Sequence, residues 1–246
     1  EMLVLGGDKR RMTAFFSDIR GFTGISEKLA PEELVSILNR YLTTMTDLIL
    51  DTGGTVDKFE GDAIVAFWGA PIHMEDHAAR ACSTALRCQE AHHSMNRELE
   101  REGYPELVTR IGMATGDMVV GNMGSSRRFD YTVMGSTVNL GSRLEGVNKV
   151  YGTSIMVPGE TMRDAGDRFV FRELDTVRVV GQKQPVDIYQ LICLREHLTG
   201  EMRDNMEKYA EGLRLYRKGS FTQAADAFAA AADLPSAIMA NRCRAM

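Results

Sequence analysis

The sequence lacks a long hydrophobic run. No apolar stretch reaches the roughly 18 residues that a membrane-spanning helix needs, so we expect no membrane contact from this fragment itself. We also see no signal peptide. Because the sequence begins at Glu1 rather than Met, we expect it to be a fragment of a longer protein, in which an upstream sensor or anchor would precede it.

Positive charge and cysteine are also scarce. The formal net charge is −5, which gives no general attraction to nucleic acid or to acidic membranes, so an anionic ligand needs local cations and metal. The four cysteines are scattered without the spacing of metal ligands, which indicates reduced, mostly buried thiols. They are Cys82, Cys88, Cys193 and Cys243. We therefore expect a cytoplasmic location and no nucleic-acid partner.

Two carboxylates stand where apolar runs meet glycine turns. Asp18 ends a run that includes Phe15, and Gly21 follows shortly after it; Asp62 follows Gly61 and opens another run. Carboxylates at the mouths of neighbouring strands are a common way to hold Mg²⁺, which prefers hard oxygen ligands and leaves room for phosphate oxygens. Taken alone, each aspartate is more typical of a helix cap or a turn. The rest of the chain has to decide between the two interpretations.

The order of apolar runs predicts the fold class. Short apolar runs, amphipathic stretches and glycine breaks follow one another as β-α-α-β-β-α-β, with extra hairpins behind. We therefore expect an α+β fold, with helices packed on one mostly antiparallel sheet. Two helical stretches, 201–217 and 221–233, come after Arg195 and resemble one tetratricopeptide-like hairpin. Since one repeat cannot bury its apolar face alone, we divide the chain into a main domain, 1–195, and a helical appendage, 196–246, that packs on it or on a partner.

Three local predictions concern glycine-rich segments. Residues 21–24 should form a loop whose free backbone N–H groups could face an anion. Residues 116–117 should turn the chain between strands at 107–115 and 118–123. Residues 135–137 should cap the helix that follows them.

Three segments together resemble a known family. They are Phe16–Thr23, Lys58–Asp62 and Gly135–Arg143, the last of which reads Gly-Ser-Thr-Val-Asn-Leu-Gly-Ser-Arg. In this order they are similar to the signature blocks of bacterial class III nucleotide cyclase catalytic domains, and the resemblance covers about residues 10–194. It implies a ferredoxin-like, palm-type sheet. It also implies a reaction that joins the ribose 3′-hydroxyl to the α-phosphorus of a nucleoside triphosphate and expels pyrophosphate.

The resemblance implies a role for each matching residue. Asp18 and Asp62 match the metal-binding aspartates and would hold two divalent cations, Mg²⁺ or Mn²⁺, with the carbonyl of Ile19 as a further ligand. Asn139 would orient the ribose, and Arg143 would stabilise charge on the α-phosphate, since a guanidinium is always charged and forks onto two oxygens. The residues implied in binding the terminal phosphates are Gly21, Phe22, Thr23 and Arg110.

Two positions bear on the choice of base. Lys58 can donate a hydrogen bond to adenine N1, whereas guanine N1 carries a hydrogen of its own. The hydroxyl of Thr132 can accept from the adenine 6-amino group. The pair resembles the threonine-containing subclass of adenylate cyclases, with ATP as substrate and cyclic AMP as product. Guanylate cyclase and a non-catalytic nucleotide-binding module are the alternatives.

One segment departs from the family pattern. Many relatives carry a basic residue beside a glycine that here is Gly181, whose neighbours are Val180 and Gln182. This leaves Lys183 or Arg178 as candidates for that contact with the triphosphate, or the contact is lost.

Sites of this family lie between two protomers, with metal aspartates from one and base and transition-state residues from the other. The chain carries both sets, so the resemblance implies a head-to-tail homodimer with two equivalent sites.

Overall fold

The computed structural model describes residues 6–125, 127–178 and 184–246. The strands are β1 (Gly6–Ile19), β2 (Thr55–Glu60), β3 (Ala63–Trp68), β4 (Thr109–Gly124), β5 (Phe129–Met134), β6 (Ile155–Pro158), β7 (Phe169–Val177) and β8 (Val186–Leu194). The helices are α1 (Phe22–Ser26), α2 (Pro31–Asp51), α3 (His77–Arg101), α4 (Ser136–Tyr151), α5 (Gly159–Ala165), α6 (Gly200–Arg217), α7 (Phe221–Ala229) and α8 (Leu234–Arg244), with one 3-10 turn at Arg195–His197.

The strands form one sheet in the order β2-β3-β1-β4-β6-β8-β7, and β5 pairs with β4. All pairings are antiparallel except that of β4 with β6. The succession β1-α1-α2-β2-β3-α3-β4 is the predicted β-α-α-β-β-α-β order. The predicted α+β class, with helices packed on a mostly antiparallel sheet, is confirmed.

The alternation of side chains along β1 assigns the two faces of the sheet. Phe15 and Ile19 point into the core beneath α2 and α3, where they join residues such as Tyr41 of α2. Phe16 and Asp18 alternate with these residues and point to the other face, where the Phe16 ring meets Gly141 of α4. Asp18 therefore lies on the face that carries α4.

Helix α2 starts and packs as its sequence predicts. Pro31 occupies the first turn, where its missing N–H costs nothing, and the carboxylate of Glu33 accepts a hydrogen bond from the Ala30 N–H at 3.0 Å. Its buried residues recur at four-residue steps, which lays one apolar stripe on the sheet. They are Ile37, Tyr41, Met45 and Ile49.

Helix α4 lies unusually close to β4. A Cβ atom on Gly112 would come within 2.1 Å of the Glu145 N atom and 2.3 Å of the Gly141 O atom, so only glycine allows this approach. Gly141 is tight as well, with the Phe16 ring 3.1 Å from its hypothetical Cβ. The glycines set the depth of α4 on the sheet and therefore the position of every side chain that α4 carries.

The prediction of a turn at 116–117 was wrong, since β4 is one unbroken strand. It pairs with β1 from Gly6↔Asn122 to Ile19↔Thr109, and Gly116 pairs with Met12 in the middle of this ladder. The glycine serves a close approach rather than a turn, because a Cβ there would lie 2.8 Å from Oγ1 of Thr137.

Two further local predictions need correction. The segment after Gly21 forms the short helix α1 and not an open loop; Gly21 itself adopts φ 69° and accepts hydrogen bonds from the N–H groups of Gly24 and Ile25. At the start of α4, the capping position is Gly135, which has no side chain with which to cap the helix. Thr137 instead donates its hydroxyl proton to the Asp117 carbonyl at 3.0 Å.

The C-terminal segment contains three helices, one more than the sequence predicted. Helix α7 ends at Ala229, and α8 follows after Asp233, whose side chain accepts a hydrogen bond from the Ser236 N–H. The aspartate at the capping position, with Pro235 in the first turn, was the sequence signal for α8 that the apolar pattern did not reveal. The predicted tetratricopeptide-like hairpin is not confirmed.

These three helices pack on the main sheet and on α4. Tyr209 donates its hydroxyl proton to the Leu174 carbonyl at 3.1 Å, and its ring packs against Phe228 and under the Arg172 guanidinium. Arg172 is buried and forms an ion pair with Asp233. One apolar cluster joins the two parts of the chain. The appendage thus buries its apolar face against the rest of the chain.

The cysteines are in the state that the sequence predicts. All four cysteines are buried and free, as predicted. Within the described residues, no helix combines the length and the hydrophobicity needed to cross a bilayer.

Replacing Gly112 with Ala should destabilise the fold by about 3 kcal/mol, because the added methyl group meets the α4 backbone and not a flexible side chain. Urea unfolding followed by circular dichroism measures the change. The matched control is Gly146→Ala on α4, where a Cβ meets nothing within 4 Å and better helix propensity should stabilise by up to about 1 kcal/mol. Equal stability of the two variants would contradict the close-packing interpretation.

Candidate active site

The structure brings the two predicted carboxylates together. Asp18 is the second-last residue of β1, and Asp62 follows Gly61, which turns the chain between β2 and β3 at φ 67°. The backbone N–H of Ile19 donates a hydrogen bond to Oδ2 of Asp62 at 3.0 Å. This bond fixes the β2–β3 turn against the end of β1, so the carboxylate of Asp62 lies beside that of Asp18.

The electrostatics of this pair favour a cation. Burial, together with the hydrogen bond and the charge of the neighbouring Asp18, raises the pKa of Asp62 to about 6, and the hydrogen bond from the Ile19 N–H opposes the rise. Two adjacent carboxylates repel each other unless a proton or a cation lies between them. Hard oxygen donors with this repulsion fit a divalent ion such as Mg²⁺.

The protein supplies only part of the ligands that a divalent cation needs. Among residues 6–125, 127–178 and 184–246, no group of three or more His, Cys, Asp or Glu side chains lies together as a metal site. Two carboxylates and a backbone carbonyl, for which Ile19 is the sequence-based candidate, leave positions for oxygens of a substrate or of water. This pattern is typical of magnesium sites that act on phosphates.

Arg110 links the carboxylate pair to α4. It stands opposite Asp18 in the β1–β4 register, and its Nη2 lies 3.4 Å from Oδ2 of Asp18. Its Nε lies 3.0 Å from Oε1 of Glu145, close enough for an ion pair but without the alignment of a hydrogen bond. Burial raises the pKa of Glu145, and the Arg110 charge opposes the rise. Arg110 is therefore a largely buried cation beside the predicted metal residues, and not a solvated strand residue.

Sequence reasoning did not assign Glu145 to the site. The residue comes two positions after Arg143, on the sheet-facing side of α4 next to Leu144. No local pattern distinguishes it from an ordinary helical glutamate. The close packing of α4 at Gly112 is what carries its carboxylate to Arg110.

Lys58 and Thr132, the predicted base-recognition residues, come together around a third residue that was also missed. Thr132 on β5 donates its hydroxyl proton to Oδ2 of Asp57 at 2.6 Å. Nζ of Lys58 lies 3.8 Å from Oδ1 of Asp57. The side chain of Asp57 is only 2% exposed, whereas that of Lys58 is 43% exposed. Both predicted residues thus share one buried carboxylate.

Asn139 and Arg143 lie on the other side of α4 from Glu145. Gly141 and Leu144 are buried on the sheet, whereas Asn139 is exposed and Arg143 half-exposed. Four residues apart, they occupy one helix face. Arg143 forms no ion pair with any described residue, unlike Arg110. Within one chain, therefore, these two side chains are directed away from the contacts that hold Asp18.

The phosphate-binding candidates are partly described. The N–H groups of Phe22 and Thr23 open α1 and have no acceptor within that helix, as for any first turn. Arg178 follows the end of β7. Val180, Gly181, Gln182 and Lys183 lie outside the described residues.

Most of the chain matches one known protein family. The profile of the adenylate and guanylate cyclase catalytic domain family matches residues 7–193. Adenylate cyclase 1 of Rhizobium meliloti is 40% identical over 184 residues, which make up 75% of this chain but 28% of that protein. The chain thus spans less than a third of the length of this curated relative.

Two solved structures are also similar. The adenylyl cyclase CyaB of P. aeruginosa superposes with a TM-score of 0.73 at 36% identity, covering 79% of this chain and 100% of that one. The guanylyl cyclase Cya2 gives a TM-score of 0.73 at 40% identity, covering 79% and 98%. Backbone similarity therefore does not separate the two nucleotide specificities. With the family match over residues 7–193 and the carboxylate pair in place, the chain belongs to the adenylate and guanylate cyclase catalytic domain family.

Proposed function

We propose that this chain is an adenylate cyclase domain that converts ATP to 3′,5′-cyclic AMP and pyrophosphate. In the reaction the ribose 3′-oxygen bonds to the α-phosphorus and the hydroxyl proton is released. The bond between the α-phosphorus and the oxygen that bridges to the β-phosphorus breaks, and pyrophosphate leaves. The strongest support is the contact between the Asp18 and Asp62 carboxylates, held by the Ile19 N–H. It lies beside Arg110, the cation best placed to receive a phosphate.

Asp18, Asp62 and the Ile19 carbonyl are the proposed ligands of two divalent cations, Mg²⁺ or Mn²⁺. When bound, such ions offset the phosphate charge and make the 3′-hydroxyl more acidic. The carboxylates hold their positions without substrate because the β2–β3 turn is bonded to β1. Preorganised charge of this kind needs no rearrangement during the reaction.

The phosphates meet a second group of residues. Arg110 is held by Asp18 and Glu145 on either side, which keeps its guanidinium in place as a terminal-phosphate contact. The N–H groups at Gly21, Phe22 and Thr23 are proposed to bind the β- and γ-phosphates. Arg178, or Lys183 in the segment outside the described residues, remains the candidate for a further cation.

The site is proposed to be shared by two copies of the chain in a head-to-tail homodimer. Asn139 and Arg143 lie on an α4 face that turns away from their own carboxylate pair, so a second copy has to present them to it. Three large apolar side chains beside the base-recognition residues are exposed, as expected of a surface that another chain covers. They are Phe59 at 47%, Phe129 at 38% and Met134 at 57% exposure.

Guanylate cyclase remains the nearest alternative, because Cya2 is as similar in backbone as CyaB. Lys58 and Thr132 favour adenine by their donor and acceptor character. A non-catalytic binding module is disfavoured by the intact carboxylate pair. The division into a catalytic domain, 1–195, and a helical appendage, 196–246, also stays a proposal.

The direct test is to incubate the purified chain with Mn²⁺ and either ATP or GTP, and to quantify cyclic nucleotide and pyrophosphate. We expect cyclic AMP, with kcat/KM for ATP at least about tenfold above that for GTP, since the wrong base leaves buried polar groups unpaired. Comparable values for both nucleotides would contradict the assignment of ATP. Binding of either nucleotide without any product would support the regulatory module instead.

Replacing Asp62 with Asn should separate activity from stability. Turnover should fall by at least about a hundredfold, because the metal charge at the site is lost. Without metal, however, the variant should gain stability relative to the parent as the pH rises from about 4 to 7. The pKa of Asp62 is raised from 3.8 to about 6 in the folded protein, so its ionisation costs folding energy over this range.

Urea unfolding in EDTA across this pH range measures the second effect. Asp47→Asn, at an exposed position of α2, is the matched control and should show no such trend. Added Mn²⁺ should stabilise the parent at pH 8 and not the Asp62 variant. A variant that loses stability with rising pH would argue against the repulsive carboxylate pair.

The shared site can be tested by mixing two inactive variants. Asp18→Ala removes a metal ligand, and Asn139→Ala removes a residue that the partner is proposed to supply. A mixed dimer has one site with both lesions and one with neither. Statistical exchange makes about half of the dimers mixed, so about a quarter of the parent's activity should return.

Cyclic AMP formation by the mixture is compared with that of each variant alone, and chain exchange is verified separately by native mass spectrometry. If each chain held a complete site, every site in the mixture would keep one lesion. An inactive mixture with verified exchange would therefore overturn the interfacial arrangement.

A further inference from the structure

The hydroxyl group of Thr132 is not free in the structure. Its proton is donated to Oδ2 of Asp57 at 2.6 Å, a short bond to an ionisable group. A hydroxyl has one proton to donate and two lone pairs with which to accept. As long as the proton is held by Asp57, Thr132 offers only lone pairs to a ligand.

A bulge in β2 places Asp57 for this contact. The register between β2 and β3 shifts between Val56 and Lys58, so Asp57 is the extra residue without a partner in the ladder. Neighbouring residues of a regular strand point to opposite faces, but a bulge redirects a side chain. Here it brings the carboxylate of Asp57 within 3.8 Å of the Lys58 ammonium while its other oxygen meets Thr132.

The burial of the Asp57 carboxylate costs folding free energy, which indicates that the residue has a role other than stabilisation. The side chain is 2% exposed, and Oδ1 has no hydrogen-bond partner. Burial raises the pKa of Asp57, while the Thr132 bond and the Lys58 charge counteract the rise. A buried carboxylate that is only half satisfied is a poor stabilising device. Its contacts make better sense as a constraint on the two groups it touches.

We propose that Asp57 is a positioning residue that fixes the Thr132 hydroxyl as a hydrogen-bond acceptor and thereby selects adenine over guanine. This inference rests on the proposed function, in which Lys58 and Thr132 bind the purine. Adenine presents an amino donor at position 6, which the lone pairs of Thr132 accept. Guanine presents an oxo acceptor there, which meets lone pairs and receives no proton. A threonine free to rotate would instead serve either base.

The experiment compares kcat/KM for ATP and GTP, at pH 8 with Mn²⁺, in a double-mutant cycle of Asp57→Leu and Thr132→Val. Leucine has nearly the shape of aspartate but cannot accept the hydroxyl proton, so the freed hydroxyl can donate to guanine. We expect the ATP-to-GTP ratio to fall at least about tenfold in Asp57→Leu. In the Thr132→Val background the same substitution should change the ratio by less than about twofold, since no hydroxyl remains to orient.

Asp130→Asn is the charge control. Asp130 is an exposed neighbour whose charge acts on Asp57, but it makes no contact with the Thr132 hydroxyl in the structure. Its replacement removes one negative charge near the base site and should leave the ratio unchanged. The dissociation constants of 3′-deoxy-ATP and 3′-deoxy-GTP, which lack the attacking hydroxyl, should shift in the same direction as kcat/KM in Asp57→Leu.

Each outcome decides the question. An equal loss of ATP and GTP activity in Asp57→Leu means that Asp57 has only a structural role. An equal change of the ATP-to-GTP ratio with and without the Thr132 hydroxyl means that Asp57 acts through another residue. Either result overturns the proposal. Asp57→Ala replaces the leucine variant if the latter does not fold, with the same expected ratio. If the parent chain forms no cyclic AMP at all, the proposed function fails, and the binding ratio of the 3′-deoxy nucleotides still tests Asp57.

Discussion

The close packing of α4 on β4 is the constraint on which the site depends. Gly112 lets the two backbones approach to a distance that no other residue allows, and Gly141 packs tightly against the Phe16 ring. At this depth the buried face of α4 carries Glu145 to Arg110, while the opposite face presents Asn139 and Arg143 outward. One helix therefore supports the carboxylate site of its own chain with one face, and its opposite face carries the groups that we propose are offered to another chain.

Negative charge at the end of β1 and in the bulge of β2 is offset in two different ways. The Asp18–Asp62 pair has a nearby guanidinium at 3.4 Å and a raised pKa for Asp62 of about 6. Asp57 has a hydroxyl and a more distant ammonium. In both places the described residues do not fully neutralise the negative charge of the carboxylates. A cation or a substrate group that binds there therefore adds stability.

The C-terminal helices also pack against α4. Leu144 and Tyr151 of α4 share an apolar cluster with Phe228 and Met239, and Gly152 lies against side chains of α8. Helix α4 is thus held between the sheet and α6–α8. The C-terminal helices thus pack against the helix that carries the proposed transition-state residues, although they contain none of those residues.

The mostly antiparallel α+β arrangement, the apolar stripe of α2 and the location of both aspartates beside turns could be predicted from the sequence alone, because these depend on local periodicity and on glycine. Tertiary structure decided the rest. Gly116 reads locally as a turn, but its pairing with Met12 keeps β4 straight. Glu145 and Asp57 carry no local signal, since their partners Arg110 and Thr132 lie 35 and 75 residues away along the chain. Such contacts arise only when close packing and a strand bulge bring distant segments together.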